Sequence, residues 1–297
     1  MPLNLPIDKI SQKIQTGCLY IVATPIGNRN DITLRALYIL AKADWVAAED
    51  TRATSSLLSY FGIKNKLISY HEHNETKRTP DLINHLKAGK TIAMVSNAGT
   101  PAISDPGYRL VQSAVAEGIT VIPIPGACAA VAALSASGLP TNSFIFVGFL
   151  SKKESKQTRQ LQKIASCPQT LIFYESPRRL LPLINTLINI LGDRQAVLTR
   201  ELTKIYEEFL RGRLSQIHHQ LQQRVEIKGE CTLLVHGAVK ADKILAKDIS
   251  SEIKQALSSG EIPLSELSKK IAKKYGLSKK KVYQAALKVK NNQSSRL

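Results

Sequence analysis

The sequence predicts an α/β protein with parallel strands and a ligand site beyond their carboxyl ends. Three observations predict it. An apolar run, Thr-Ile-Ala-Met-Val (91–95), leads into Ser-Asn-Ala-Gly-Thr-Pro-Ala-Ile-Ser-Asp-Pro-Gly (96–107), after which Leu110, Val111, Ala114 and Val115 recur at helical spacing before Gly118. The same order of strand, loop of small residues and helix recurs through the first half, which implies a parallel sheet with right-handed crossovers. The 96–107 loop carries one charge, Asp105, and is longer than the usual loop of about two to six residues. In open α/β sheets, loops at that edge form the binding crevice.

Taken in order, residues 1–16 are mixed in character and read as a leader. Gly-Cys-Leu-Tyr-Ile-Val-Ala (17–23) reads as a strand that ends in Thr-Pro-Ile-Gly-Asn (24–28). Asp31 can cap a helix over 32–41, whose Leu34, Leu37, Tyr38 and Ala41 share a face. A second strand at 44–48 runs into Glu-Asp-Thr-Arg (49–52) and a helix ending at Gly62. Residues 70–79 read as a loop or a helix start. After the 91–95 strand come a strand at 120–124, the turn Pro125-Gly126 and a helix over 127–136. The uncharged stretch 119–150 is long enough to span a bilayer, but Pro123, Pro125, Gly126, Gly138 and Pro140 interrupt it, so it reads as core.

Composition changes after Phe-Ile-Phe-Val-Gly (144–148). Lys152, Lys153, Lys156, Arg159 and Lys163 make a polar, basic junction. The second half then repeats the earlier style. A strand at 170–174 meets Glu-Ser-Pro-Arg-Arg (175–179), where Pro177 suits a first helical turn. Further strands are expected at 196–199, before Arg-Glu-Leu-Thr-Lys (200–204), and at 229–235. Residues 241–297 hold 13 Lys plus Arg against 5 Asp plus Glu. Two short helices, 264–275 and 278–289, are expected there, and such basic faces bind phosphates without reading sequence. The domain reading is a leader (1–16), an N-terminal α/β domain (17–138), a second α/β domain (139–240) and a basic helical appendage (241–297).

The chain of 297 residues is 43% hydrophobic and 22% charged with a net charge of +18, which points to a polyanionic partner. Cys18, Cys128, Cys167 and Cys231 lie far apart inside apolar runs, so neither a disulfide frame nor a metal site is indicated. They read as core residues of a reducing cytoplasm, and no basic start with an apolar run marks a secretory signal. The sequence contains no P-loop, no G-x-G-x-x-G after the first strand, no G-x-S-x-G and no H-E-x-x-H. What remains are backbone-rich loops, which let a ligand approach the main chain closely.

Those loops carry a resemblance. Ala-Thr-Pro-Ile-Gly-Asn (23–28), Ala-Glu-Asp-Thr-Arg (48–52), Ala-Gly-Thr-Pro-Ala-Ile-Ser-Asp-Pro-Gly (98–107), Pro-Ile-Pro-Gly-Ala-Cys (123–128), Phe-Tyr-Glu-Ser-Pro (173–177), Arg-Glu-Leu-Thr-Lys (200–204) and Lys-Gly-Glu (228–230) resemble, in order and spacing, the ribosomal small-subunit RNA 2′-O-ribose methyltransferase I family of the tetrapyrrole-methylase superfamily. The resemblance implies two α/β domains with a cofactor cleft between them. It also implies S-adenosylmethionine as cofactor, a homodimer, and methyl transfer to a cytidine ribose in the decoding region of small-subunit rRNA, while the interrupted 119–150 stretch leaves no membrane partner expected. Cofactor contacts would come from Thr24, Pro25, Ile26 and Gly27; from Thr100, Pro101 and Ile103; from Ala127 and Cys128; and from Tyr174, Gly229 and Glu230. Asn97, Ser151, Arg178 and Tyr206 depart from the family pattern, where Asp, Pro, His and His are common.

A ribose hydroxyl is a poor nucleophile while protonated, so a group that takes its proton is expected. Asp50, Asp105 and Glu175 are the candidates, each also able to serve as a helix cap or ion-pair partner. Arg52, Arg178, Arg200, Lys204, Lys279 and Lys280 are expected to hold RNA. Two other readings differ in kind: a methylase acting on a tetrapyrrole-type small molecule, and a non-catalytic rRNA-binding assembly factor.

Overall fold

The computed structural model describes residues 14–238, 252–253, 263–275, 282–283 and 286–287. The described residues up to Lys163, with Thr170–His236, form one compact unit, and those of Ile164–Gln169 and from Gly237 onward form a second.

The first unit holds two sheets. Strands β1 (Leu19–Val22), β2 (Trp45–Ala48), β3 (Leu67–Ser69), β4 (Ile92–Val95) and β5 (Val121–Ile124) make a five-stranded parallel sheet in the order β3-β2-β4-β1-β5. Its strands read as apolar runs because both faces are covered. Tyr20, Val22, Val46 and Val95 pack with Leu37 and Leu40 of α1 (Leu34–Lys42) and Leu58 of α2 (Thr51–Tyr60). Leu19, Ala47, Ile92 and Met94 pack with Leu82 and Leu86 of α3 (Glu75–Lys87) and Leu110 of α4 (Tyr108–Ala116). The first helix begins later than expected, and its cap is not Asp31. The Thr33 hydroxyl accepts from the Ala36 amide at 3.1 Å, while Asp31 closes a short 3-10 turn. Residues 70–79, read as a loop or a helix start, connect β3 to α3 and enter that helix.

The second sheet departs from the repeated style. Strands β6 (Phe144–Phe149), β7 (Thr170–Glu175), β8 (Gln195–Arg200), β9 (Glu208–Arg213) and β10 (Cys231–Val235) lie in the order β6-β7-β10-β8-β9. Only β6 and β7 are parallel; the other neighbours are antiparallel. The short link from β8 to β9 contains no crossover helix, so the two must run antiparallel. The basic 151–163 stretch is largely helix α6 (Glu154–Ile164), anchored by the buried Leu161. Helix α5 (Ala129–Ser135) follows β5 in the chain but buries Ala130, Ala133 and Leu134 against Ile172, Val197 and Leu234 of the second sheet. Pro177 opens α7 (Pro177–Leu191), which packs beside α8 (Leu214–Gln222).

In the second unit, α9 (Leu264–Tyr275) has the bounds its spacing predicts and buries Leu267, Ile271 and Ala272. The helix expected at 278–289 lies outside the described residues except for the helical Val282, Tyr283, Ala286 and Leu287. Lys279, Lys280 and residues 1–13 of the leader also lie outside them. No described helix is long and apolar enough to cross a membrane.

Candidate functional site

Loop 96–107 is tied to the end of β1 by paired backbone bonds. The Thr24 amide donates to the Gly99 carbonyl at 2.8 Å, and the Gly99 amide donates to the Thr24 carbonyl at 3.0 Å. The buried Thr24 hydroxyl adds a bond to the Ser96 carbonyl at 3.2 Å. Thr100 Oγ1 donates to the Ala127 carbonyl at 3.1 Å, which joins the loop to the turn after β5. Ala102 and Ser104 hold φ of 69° and 63° without being glycines, a strain of the kind that collects at functional sites.

These ties shape a cleft of about 390 Å³. Of the residues expected to hold a cofactor, Ile26, Thr100, Ile103, Cys128, Tyr174, Gly229 and Glu230 line it. Thr24, Pro25, Gly27, Pro101 and Ala127 stand outside its lining. Thr24 and Ala127 act through the bonds just described, and Gly27 packs against the 202–204 turn. Glu49, Asn97, Ser104, Ala129, Phe149 and Thr232 also line the cleft, and sequence reasoning gave none of them a role. Glu49 sits beside Asp50 in a quoted motif and Thr232 follows Gly229-Glu230 closely, so neighbourhood was the signal available. Tyr174 ties β7 to α5 and β6. Its hydroxyl accepts from the Ala130 amide at 3.0 Å, and its ring meets Phe149 edge to face with centroids 5.6 Å apart. Burial raises the Tyr174 phenol above its ordinary range, so it stays protonated. Burial pushes the Cys231 thiol up to about 11, which removes it as a thiolate nucleophile.

The three candidate acids stand in different places. Asp50 is exposed and caps α2, its Oδ1 accepting from the amides of Arg52 at 2.8 Å and Ala53 at 3.3 Å. Glu175 lines the cleft but is buried and engaged. Its Oε1 accepts from the Ser176 amide at 2.8 Å, and Oε2 lies 3.3 Å from the Arg179 guanidinium. Asp105 lines the cleft with no ion-pair partner among the described residues. Burial raises its carboxyl to about 6, repulsion from Glu49 and Glu230 adds to the rise, and a hydrogen bond with Ser96 opposes it. Of the three, Asp105 lines the cleft without an ion-pair partner among the described residues, and its carboxyl is raised toward neutrality.

The cations divide likewise. Arg200 Nε bonds Glu208 at 3.0 Å, and Lys204 Nζ bridges Glu201 at 2.8 Å and Glu230 at 3.1 Å. Arg52 and Arg178 are exposed with no ion pair among the described residues. Glu201 and Thr203 hold φ of 53° and 65°, so the 201–204 turn is strained as well. Its contacts run both ways: the Asn28 amide donates to Thr203 Oγ1 at 2.9 Å, and the Glu230 amide donates to Glu201 Oε1 at 3.0 Å.

Comparison with known proteins bears on this arrangement. A family model described as Tetrapyrrole (Corrin/Porphyrin) Methylases matches residues 18–218. The chain is 54% identical over 226 residues to ribosomal RNA small subunit methyltransferase I of Halalkalibacterium halodurans, covering 76% of this chain and 78% of that one. It is 43% identical over 275 residues to the protein of the same name from Streptococcus pyogenes serotype M3, covering 92% of this chain and 95% of that one. Among solved structures, uroporphyrin-III C-methyltransferase from Thermus thermophilus complexed with S-adenyl homocysteine matches with a TM-score of 0.52 at 21% identity, over 74% of this chain and 97% of that one. At that identity the likeness speaks for the fold.

Proposed function

Because the chain belongs to the tetrapyrrole (corrin/porphyrin) methylase family and, within it, to the ribosomal RNA small subunit methyltransferases I, we propose that it transfers a methyl group from S-adenosylmethionine to the 2′-hydroxyl of a cytidine in the decoding region of small-subunit rRNA. The observation that carries the reading is the cleft, where strained main-chain loops and apolar side chains surround a carboxyl raised to about 6.

The residues present fit such a cofactor. Ile26, Ile103 and Phe149 offer apolar surface, loops 97–100 and 229–230 bring main chain to the cleft wall, and the Glu49, Asp105 and Glu230 carboxylates favour a cation. When bound, S-adenosylmethionine supplies an electrophilic sulfonium methyl that needs alignment more than activation. Asp105 accepts the proton that the attacking hydroxyl gives up. Glu175, whose Oε1 accepts from the Ser176 amide and whose Oε2 forms an ion pair with Arg179 without a hydrogen bond, sits at the start of α7. Asp50 holds α2, and Arg52 and Arg178, which make no ion pair among the described residues, are placed to meet RNA. A basic appendage over 241–297 and a homodimer belong to the same reading.

The test is nucleoside mass spectrometry of small-subunit rRNA from cells with and without the gene. Loss of 2′-O-methylcytidine in the deleted strain is expected, together with calorimetric binding of S-adenosylmethionine by the purified chain. Unchanged 2′-O-methylcytidine overturns the assignment.

A further inference from the structure

A second cavity, of about 470 Å³, opens beside the cleft at the carboxyl ends of β2 and β3 and shares Glu49 and Asn97 with it. Of its lining residues, only Glu49, Asp50, Arg52 and Asn97 enter the methyl-transfer reading above. Its remaining walls include Arg52 at the start of α2 and the turn His71-Glu72-His73. That turn is held in place. The His71 amide donates to Asn74 Oδ1 at 2.9 Å, and Asn74 Nδ2 lies 3.3 Å from the Ser69 carbonyl and 3.1 Å from His71 Nε2. An amide NH2 only donates, so Nε2 is the acceptor in that contact. The His71 and His73 rings meet edge to face with centroids 5.9 Å apart.

Charge decides what such a cavity can take. Glu49, Asp50 and Glu72 face one cation, Arg52. Asp50 is committed to its cap, and Glu49 Oε2 accepts from the Asn97 amide at 3.1 Å. Glu72 is exposed, with no ion pair or hydrogen bond among the described residues. An excess of carboxylate repels a phosphate but favours a group that donates hydrogen bonds. An unpaired base with an exocyclic amine beside ring acceptors matches one free carboxylate and one free guanidinium, and imidazole rings offer it a stacking edge.

We infer that this cavity receives the unpaired cytosine of the nucleotide being methylated, with Glu72 accepting from the exocyclic amine, Arg52 donating to the ring acceptors and His73 against the ring. The inference rests on the RNA reading above, and the shared wall of Glu49 and Asn97 sets base and ribose in adjoining spaces. Uracil would turn a carbonyl oxygen toward Glu72, so the cavity also selects against it.

The experiment measures methyl transfer by the full-length chain to small subunits reconstituted with rRNA bearing cytosine or uracil at the methylated position. Roughly tenfold or greater preference for cytosine is expected of the wild type. Glu72→Gln and His73→Ala should erode that preference and raise KM for the subunit, with calorimetric affinity for S-adenosylmethionine retained. Equal rates on the two substrates, or variants that keep the preference, overturn the inference. A change only in the salt dependence of binding, without a change in base preference, would mean a phosphate site and overturns it too. Failure of the wild type to bind S-adenosylmethionine or to methylate RNA is a separate result that removes the methyltransferase reading, and this inference falls with it.

Discussion

Asp105 carries the sharpest conflict between stability and chemistry. Burial raises its carboxyl to about 6, so folding disfavours the ionised form that a proton acceptor needs. The cost is absent below the ordinary value of 3.8, grows as pH rises, and is complete above about 6. Replacing Asp105 by Asn removes both the cost and the base. Turnover of the wild type should rise with pH through about 6 and then level off. Asp105→Asn should lose that inflection and about a hundredfold or more in kcat. The same variant should be more stable at pH 7 by about 1–2 kcal/mol in urea denaturation, after discounting for the solvent that still reaches the group. A variant that turns over normally, with the inflection intact, shows that Asp105 is not the proton acceptor.

At the scale of elements, β9 is the edge of the second sheet and is fastened by charge as well as by backbone. Glu208 accepts from Arg224 and from Arg200 of β8. These bonds, with Arg224 first, lower its carboxyl from 4.5 to about 2. A depressed carboxyl contributes stability that is present above 4.5 and lost as pH falls toward about 2. Glu208→Gln should therefore cost about 1–2 kcal/mol at pH 7, and its difference from wild type should close across that acid window in thermal denaturation. The same strand marks where sequence reading ran out. Strands β1, β2, β4, β7 and β10 were legible because they are buried on both faces and read as apolar runs. In β9, Glu-Phe-Leu-Arg-Gly-Arg is half-exposed and its partners lie far along the chain. Strand β3 is three partly buried residues. Helix α3 was hidden by polar composition and by Pro80 within it. Pattern also could not say that α5 packs against the second sheet, since periodicity reports an apolar face and not its partner.

At the scale of the first unit, the loops were legible because Gly, Pro and Thr cluster at strand ends, but the way they are held together was not. The 201–204 turn reaches the end of β1 on one side and the start of β10 on the other, and both contacts depend on close approach. A Cβ on Gly27 would lie 2.5 Å from Lys204 Cγ, 2.7 Å from Thr203 Oγ1 and 2.9 Å from the Leu202 carbonyl oxygen. The lysine stem can swing aside, but the carbonyl belongs to a turn already strained at Glu201 and Thr203. Gly27→Ala should therefore push the turn away and disturb the bonds that Lys204 and Glu201 make to Glu230 in the cleft wall. Overpacking of this kind costs about 1–3 kcal/mol, and a small displacement of a binding wall costs roughly tenfold or more in alignment. Calorimetry should find weaker S-adenosylmethionine binding, and thermal denaturation a midpoint lower by several degrees. Lys204→Ala in the Gly27→Ala background should add less than it does alone, because the first change has already broken the contact it removes. If the two changes are additive and Gly27→Ala binds S-adenosylmethionine as the wild type does, the strained turn does not set the width of the cleft.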